Sequence, residues 1–206
     1  MSTLYSFLFP LIGYLLGSLP FSIWVTRFVK GVDVRDAGSG HATTTNTIRQ
    51  AGFGWGALVF VLDVAKGFIP TYLAFHANNI PPYIIPLTAA CAVIGHCWPL
   101  FANFRGGMGL ATAGGSLLAV NLLAFLICLG LLILLVLTIR HSARASVFAG
   151  ILIGPILWIF NIRDTAFWVA LGAGLIIAVR FLIDWNRQYR ELWLDREKAG
   201  KSEHKQ

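Results

Sequence analysis

Residues 109–139 read GLATAGGSLLAVNLLAFLICLGLLILLVLTI, a run of 31 positions without a charge. As one straight helix it would extend about 46 Å at 1.5 Å per residue. That is too long for a hydrocarbon core of about 30 Å, even with ordinary tilt. The run is therefore expected to fold as two short spans turning near Asn121, with Gly114 and Gly115 loosening the first. Further apolar stretches lie at 4–25, 53–77, 80–101, 145–161 and 164–184. Splitting 109–139 raises the number of membrane spans from six to seven.

Loop charge decides between these counts. Arg27, Lys30, Arg35 and Arg49 follow the first stretch, Arg105 lies in 100–108, and Arg140 and Arg144 lie in 140–144. The tail carries Arg187, Arg190, Arg196, Lys198, Lys201 and Lys205, whereas the turns near 78, 121 and 162 contain only Arg163. With seven spans every basic loop falls on one side, and basic loops stay in the cytoplasm. The reading is an all-α integral membrane protein with about seven transmembrane helices, the N-terminus outside and the C-terminus cytoplasmic.

Composition agrees. Of 206 residues 57% are hydrophobic and 12% charged, against about 25% charged in soluble domains. Residues 1–206 read as one membrane-embedded domain, with 186–206 a cytoplasmic tail whose end is disordered. The first stretch lacks a charged leader and contains Pro10, Gly13, Gly17 and Pro20, so it reads as a retained span rather than a signal peptide. Cys91, Cys97 and Cys128 form no metal spacing and read as buried packing residues. The net charge of +7 fits basic loops and anionic lipid; no nucleic-acid partner and a monomer are expected.

Polar clusters stand out against this background. The loop 31–52, GVDVRDAGSGHATTTNTIRQAG, brings Ser39, Thr43, Thr44, Thr45, Asn46 and Arg49 beside Gly38 and Gly40. Gly–Ser–Gly lets backbone N–H groups converge on an oxyanion, and an arginine can hold phosphate by paired hydrogen bonds; a flexible polar connector is the alternative. In 95–112, GHCWPLFANFRGGMGLAT, His96 and Arg105 accompany Gly106, Gly107 and Gly109 ahead of Ala111 and Thr112. A helix starting there aims its free N–H groups at the loop, a natural anion site, although glycines also permit close helix packing. Asp63 and Lys66, three apart within an apolar stretch, share a helical face. They pair with each other or line a site.

Together these residues resemble the bacterial acyl-phosphate-dependent glycerol-3-phosphate acyltransferase family over nearly the whole chain. GSGHATTTNTIR (38–49) is similar to the family's GSGNPGATNVLR, Asp63-Lys66-Gly67 to its DxxKG, and 95–112 to GHxFPxFxxFKGGKGVAT. The resemblance implies transfer of a fatty acyl group from acyl phosphate to the 1-hydroxyl of glycerol 3-phosphate, giving lysophosphatidic acid and phosphate. It implies no cofactor and no metal. By position, Ser39 and His96 would act at the reacting centre. Ser39, Asn46, Arg49, Arg105, Gly106, Gly107, Gly109, Thr112 and Asn186 would bind phosphate, with His41, Asp63 and Lys66 lining the site. The chain departs from the pattern in several places. Met108 stands for the lysine of GGKG and His41 for the asparagine of GSGN, while the third motif (His-x-x-Asn, then Arg-Leu) survives only as Asn186, with Ile183 and Tyr189 at its histidine and arginine positions. A paralogue using another polyol phosphate, or a non-catalytic lipid- or partner-binding protein, are the alternatives.

Overall fold

The computed structural model describes residues 2–186, with side chains from Ser6 onward. Apart from Asn186, the tail expected to be cytoplasmic lies outside the described residues. Nine α-helices occur among them: α1 (Ser2–Gly17), α2 (Phe21–Lys30), α3 (Thr44–Ala51), α4 (Phe53–Phe75), α5 (Ile84–Cys97), α6 (Leu110–Leu118), α7 (Leu122–Ile139), α8 (Ser142–Ile159) and α9 (Thr165–Leu182). The protein is an all-α membrane protein. Among the described residues six helical segments are long and apolar enough to cross a bilayer: Ser6–Lys30, Phe53–Phe75, Ile84–Ala102, Leu122–Ile139, Ser142–Ile159 and Thr165–Leu182.

The long apolar run breaks at Asn121. Its side-chain Oδ1 accepts a hydrogen bond from Ala124 N at 3.0 Å and caps α7, satisfying an N–H that would otherwise lack a partner. The two halves are unequal. α7 has 18 residues and α6 only 9, so α6 alone, about 13 Å long, is too short to cross. It is deeply packed on α4, whereas Ala124 is the buried residue of α7. The remaining surface of α7 suits hydrocarbon.

Close backbone approach holds the bundle together, with α1 against α5, α4 against α6 and α8 against α9. A Cβ on Gly115 would fall on the Val64 carbonyl, and one on Gly67 would fall on the Thr112 carbonyl. Small residues that let helices meet backbone to backbone compensate for the missing hydrophobic drive between helices in lipid. Of the cysteines, Cys97 is buried, while Cys91 and Cys128 are only half-buried.

The basic loops meet at one end. Arg35 Nη1 donates to Ala102 O (2.9 Å) and Arg105 O (3.1 Å), and its Nε and Nη2 donate to Asp33. Ala42 N donates to Gly106 O at 3.4 Å, His41 Nε2 lies 2.8 Å from Asp184 Oδ2, and the Arg144 guanidinium stacks on Trp185. The 27–49, 100–108 and 140–144 loops and the end of α9 thus share one face of the bundle.

Two expectations follow. Gly115→Val should wedge α4 from α6 and lower stability by about 1–3 kcal/mol, read as a lower unfolding midpoint in detergent. Gly130→Ala, whose added Cβ meets nothing within 4 Å, should not. The second concerns pH. Hydrogen bonds from the Arg35 side chain hold the Asp33 carboxyl down at about 2, against an ordinary 3.8. Because the fold favours the charged form, this tie stabilises the loop above pH 3.8 and is lost as pH falls through about 2. Hydrogen exchange of the 33–40 amides should quicken across that window in the native chain. In Asp33→Asn it should be fast throughout.

Candidate active site

A cavity of about 440 Å³ opens under the converged loops. The first loop contributes Ser39, His41, Thr43, Thr44 and Arg49; α4 contributes Asp63, α5 His96, and the start of α6 Met108, Gly109, Leu110 and Ala111. Leu132 and Val136 of α7 and Ser142 and Ser146 of α8 close the far wall. Leu132 lies seven residues before Ile139, where α7 ends. Leu132 and the start of α6 border the same cavity, so α6 begins beside the body of α7.

Thr43 caps α3 by accepting from Asn46 N at 3.3 Å, which places Thr44 and Arg49 on the cavity side. Asn46 has another task. It is fully buried, and its Nδ2 donates to the carbonyls of Val34 (2.6 Å), Ala37 (3.1 Å) and His41 (3.1 Å). Its Oδ1 accepts from Ser39 N at 3.4 Å and lies where a Cβ on Gly38 would fall. The amide expected to touch phosphate is therefore committed to folding the loop that presents Ser39.

The glycine block differs from expectation in the same way. Gly106 N donates to Cys97 O (3.3 Å) and Gly107 N to His96 O (3.1 Å), so these N–H groups secure the loop instead of facing an anion. A Cβ on Gly107 would fall on His96 Nε2, so only glycine lets the strand pass the ring. Gly109, at φ +85°, then turns the chain into α6. The first N–H groups of a helix have no intrahelical acceptor, and here they belong to residues that border the cavity.

Among the buried side-chain atoms that make no hydrogen bond are Ser39 Oγ, Thr44 Oγ1, Arg49 Nη2 and His96 Nδ1, besides Thr112 Oγ1 away from the cavity. The first four residues line this cavity. Buried polar groups are normally paired, so hydroxyls, a guanidinium and an imidazole gathered unpaired around one space indicate a polar ligand, and with α6's positive end an anionic one. His96 Nδ1 lies 3.7 Å from Asp63 Oδ1, itself 2.9 Å from Lys66 Nζ. Lys66 Nζ also donates to Leu19 O at 3.0 Å. Asp63 thus lines the cavity, and Lys66 anchors it from behind.

Other expected residues stand apart. Arg105 is exposed and its side chain does not line the cavity; its carbonyl serves Arg35. Thr112 is fully buried on α6 facing α4, and Asn186 is exposed. The side chains from the end of α9 are instead Arg180 and Asp184, one turn apart. Arg180 Nε donates to Gly107 O (3.1 Å) and its Nη2 to His41 Nδ1 (3.2 Å), while Asp184 meets His41 Nε2. Neither was singled out from sequence. An arginine inside the last apolar stretch, four before an aspartate, was the available signal. Among the described residues no three His, Cys, Asp or Glu side chains gather to hold a metal ion.

Comparison with known proteins agrees with this architecture. The family model described as glycerol-3-phosphate acyltransferase matches residues 7–191. The glycerol-3-phosphate acyltransferase of Aquifex aeolicus is 36% identical over 84% of this chain and 90% of its own length. Among solved structures, PlsY (YgiH), an integral membrane glycerol 3-phosphate acyltransferase, superposes in its glycerol 3-phosphate form with a TM-score of 0.77 at 34% identity, covering 88% of this chain and 90% of that one. Its lysophosphatidic acid form gives 0.76 at 32% identity over the same shares. With the motifs, the bundle and near end-to-end matches in agreement, the chain belongs to the glycerol-3-phosphate acyltransferase family.

Proposed function

We propose that this membrane acyltransferase moves a fatty acyl group from acyl phosphate to the 1-hydroxyl of glycerol 3-phosphate, producing lysophosphatidic acid and phosphate for phospholipid synthesis. The observation that carries the site assignment is the set of unpaired buried groups on Ser39, Thr44, Arg49 and His96 around one cavity. Acyl phosphate is a mixed anhydride, so its phosphate leaves readily. The protein has to align the hydroxyl with the carbonyl, which can be worth about 7–11 kcal/mol, and stabilise the developing oxyanion. Arg49, Thr44 and the N-terminus of α6 hold phosphate oxygens, and Ser39 and His96 flank the reacting carbonyl. The hydroxyl oxygen bonds to the carbonyl carbon, the carbon–oxygen bond to phosphate breaks, and the hydroxyl proton leaves on the departing phosphate. Asn46, Arg180 and Asp184 act as positioning residues behind this surface, the last two through His41 on the cavity wall.

The site faces the cytoplasm in this reading. The convergence of the basic loops on the cavity's end of the bundle supports it through the positive-inside preference. α6 and the buried loop before it count as a shortened seventh pass, which leaves the N-terminus outside.

Met108 gives the acceptor question its point. Its side chain borders the cavity but belongs to an apolar cluster with Val93, Cys97, Ile177 and Phe181, where the family pattern has a lysine.

The decisive assay supplies purified protein in lipid with acyl phosphate and glycerol 3-phosphate, and follows phosphate release and lysophosphatidic acid. Absence of acyl transfer to any polyol phosphate refutes the enzyme reading, and transfer only to a different polyol phosphate refutes the acceptor. Arg49→Ala should lower kcat/KM about ten- to a hundredfold, the effect of losing a charge-assisted hydrogen bond of about 1.5–3 kcal/mol. Met108→Lys should lower KM for glycerol 3-phosphate roughly tenfold, its stem lying along the apolar cluster and its ammonium reaching the cavity. An unchanged KM would mean that another cation already fills the role.

A further inference from the structure

We propose that a second, apolar cavity selects the length of the transferred acyl chain, with Phe125 and Leu117 as its closed end. The inference rests on the acyltransferase reading and extends it to donor specificity. This cavity, of about 120 Å³, lies between α6, α7, α8 and α9 and shares Leu110, Leu132 and Ser146 with the polar one. A chain whose carboxyl carbon is held beside His96 passes from one space into the other at those residues.

The lining has a common depth. It runs from Leu110 to Leu117 on α6, Leu132 back to Phe125 on α7, Ser146 to Ile153 on α8, and Ile177 back to Ala170 on α9. Each strip covers seven residue steps, about 10 Å of helix, so the groove begins and ends level on all its walls. Its middle is widened by the small residues Ala113, Gly114, Ala149, Gly150, Ala173 and Gly174. The floor is solid, because Leu117, Ile153 and Ala170 belong to the packed cluster that also buries Ala124 and Leu157, with Phe125 laid against it.

This shape matters because apolarity alone cannot discriminate here. A fatty chain in a bilayer already lies in hydrocarbon, so moving it into an apolar groove gains little from leaving water. Selection must come from fit. A chain that reaches the floor packs against it, a longer one overlaps Phe125, and a shorter one leaves its contacts unmade.

The test uses the full chain in lipid vesicles with acyl phosphates from octanoyl to stearoyl. Phe125→Ala lowers the floor and should raise the stearoyl-over-lauroyl rate ratio at least about fivefold, the lower range of overpacking effects. Gly114→Val narrows the middle and should lower the palmitoyl-over-octanoyl ratio by a similar factor. An added Cβ at Gly114 meets the Phe125 ring at 3.3 Å, so the ring must give by a few tenths of an ångström to admit the variant. An unchanged chain-length profile in both overturns the proposal. A palmitoyl phosphate analogue with a diazirine on its terminal carbon reads the unaltered chain without turnover, and decides the case if a variant fails to fold. Crosslinks at Leu117, Phe125 or Ile153 support the groove, and labelling confined to the outward faces of α7 and α9 overturns it. Crosslinking at the floor with no acyl transfer would uphold the groove and refute the acyltransferase reading.

Discussion

Irregular backbone at residues 106–109 is buried within the bundle, where unpaired N–H and C=O groups are costly. Everything around residues 103–109 answers that constraint. Gly106 and Gly107 give their N–H groups to the last carbonyls of α5, and the Gly106 and Gly107 carbonyls are met by Ala42 and Arg180. Close passage over the His96 ring requires glycine at 107. With this backbone satisfied, α6 can start inside the bundle and present its unpaired end to the cavity. A shallow loop would have left the site at the surface, open to water that competes for the activated acyl group.

The same constraint explains the division of polar residues into two sets. One set is saturated: Asn46 with three carbonyls, Arg35 bridging two loops, and Arg180 and Asp184 around His41. The other is unsaturated and faces the cavity. A His41 carrying its proton on Nε2 satisfies both neighbours at once, donating to Asp184 and accepting from Arg180. The His41–Asp184 contact thus ties the first loop to the end of α9 at a position where the family's first motif has asparagine.

Much of this was legible in the sequence where local chemistry acts alone. The break at Asn121 follows from segment length and from asparagine's capping ability, and the common side of the basic loops follows from their spacing. The cavity's Ser39, Arg49, His96 and Asp63 stood out as polar residues beside apolar spans. The roles of Asn46, Gly106 and Gly107 did not, because a polar residue next to glycines reads alike whether it binds a ligand or holds the loop. Only the positions of distant carbonyls separate the two. Arg180 was hidden by the apolar residues on either side of it, and Asn186 drew attention by identity although its side chain is turned outward. The unequal lengths of the two halves of 109–139 were not legible for a different reason: hydropathy reports which residues tolerate lipid, not how deep the chain already lies when a helix begins.

α7 borders both cavities, yet Ala124 is its buried residue. One long wall of the site therefore has no further layer of the described chain behind it, and in a bilayer its standing depends on the lateral pressure and thickness of the surrounding leaflet. The reaction vessel is finished by the material whose synthesis it begins, and a detergent micelle, with its looser and more curved hydrocarbon, is a different vessel.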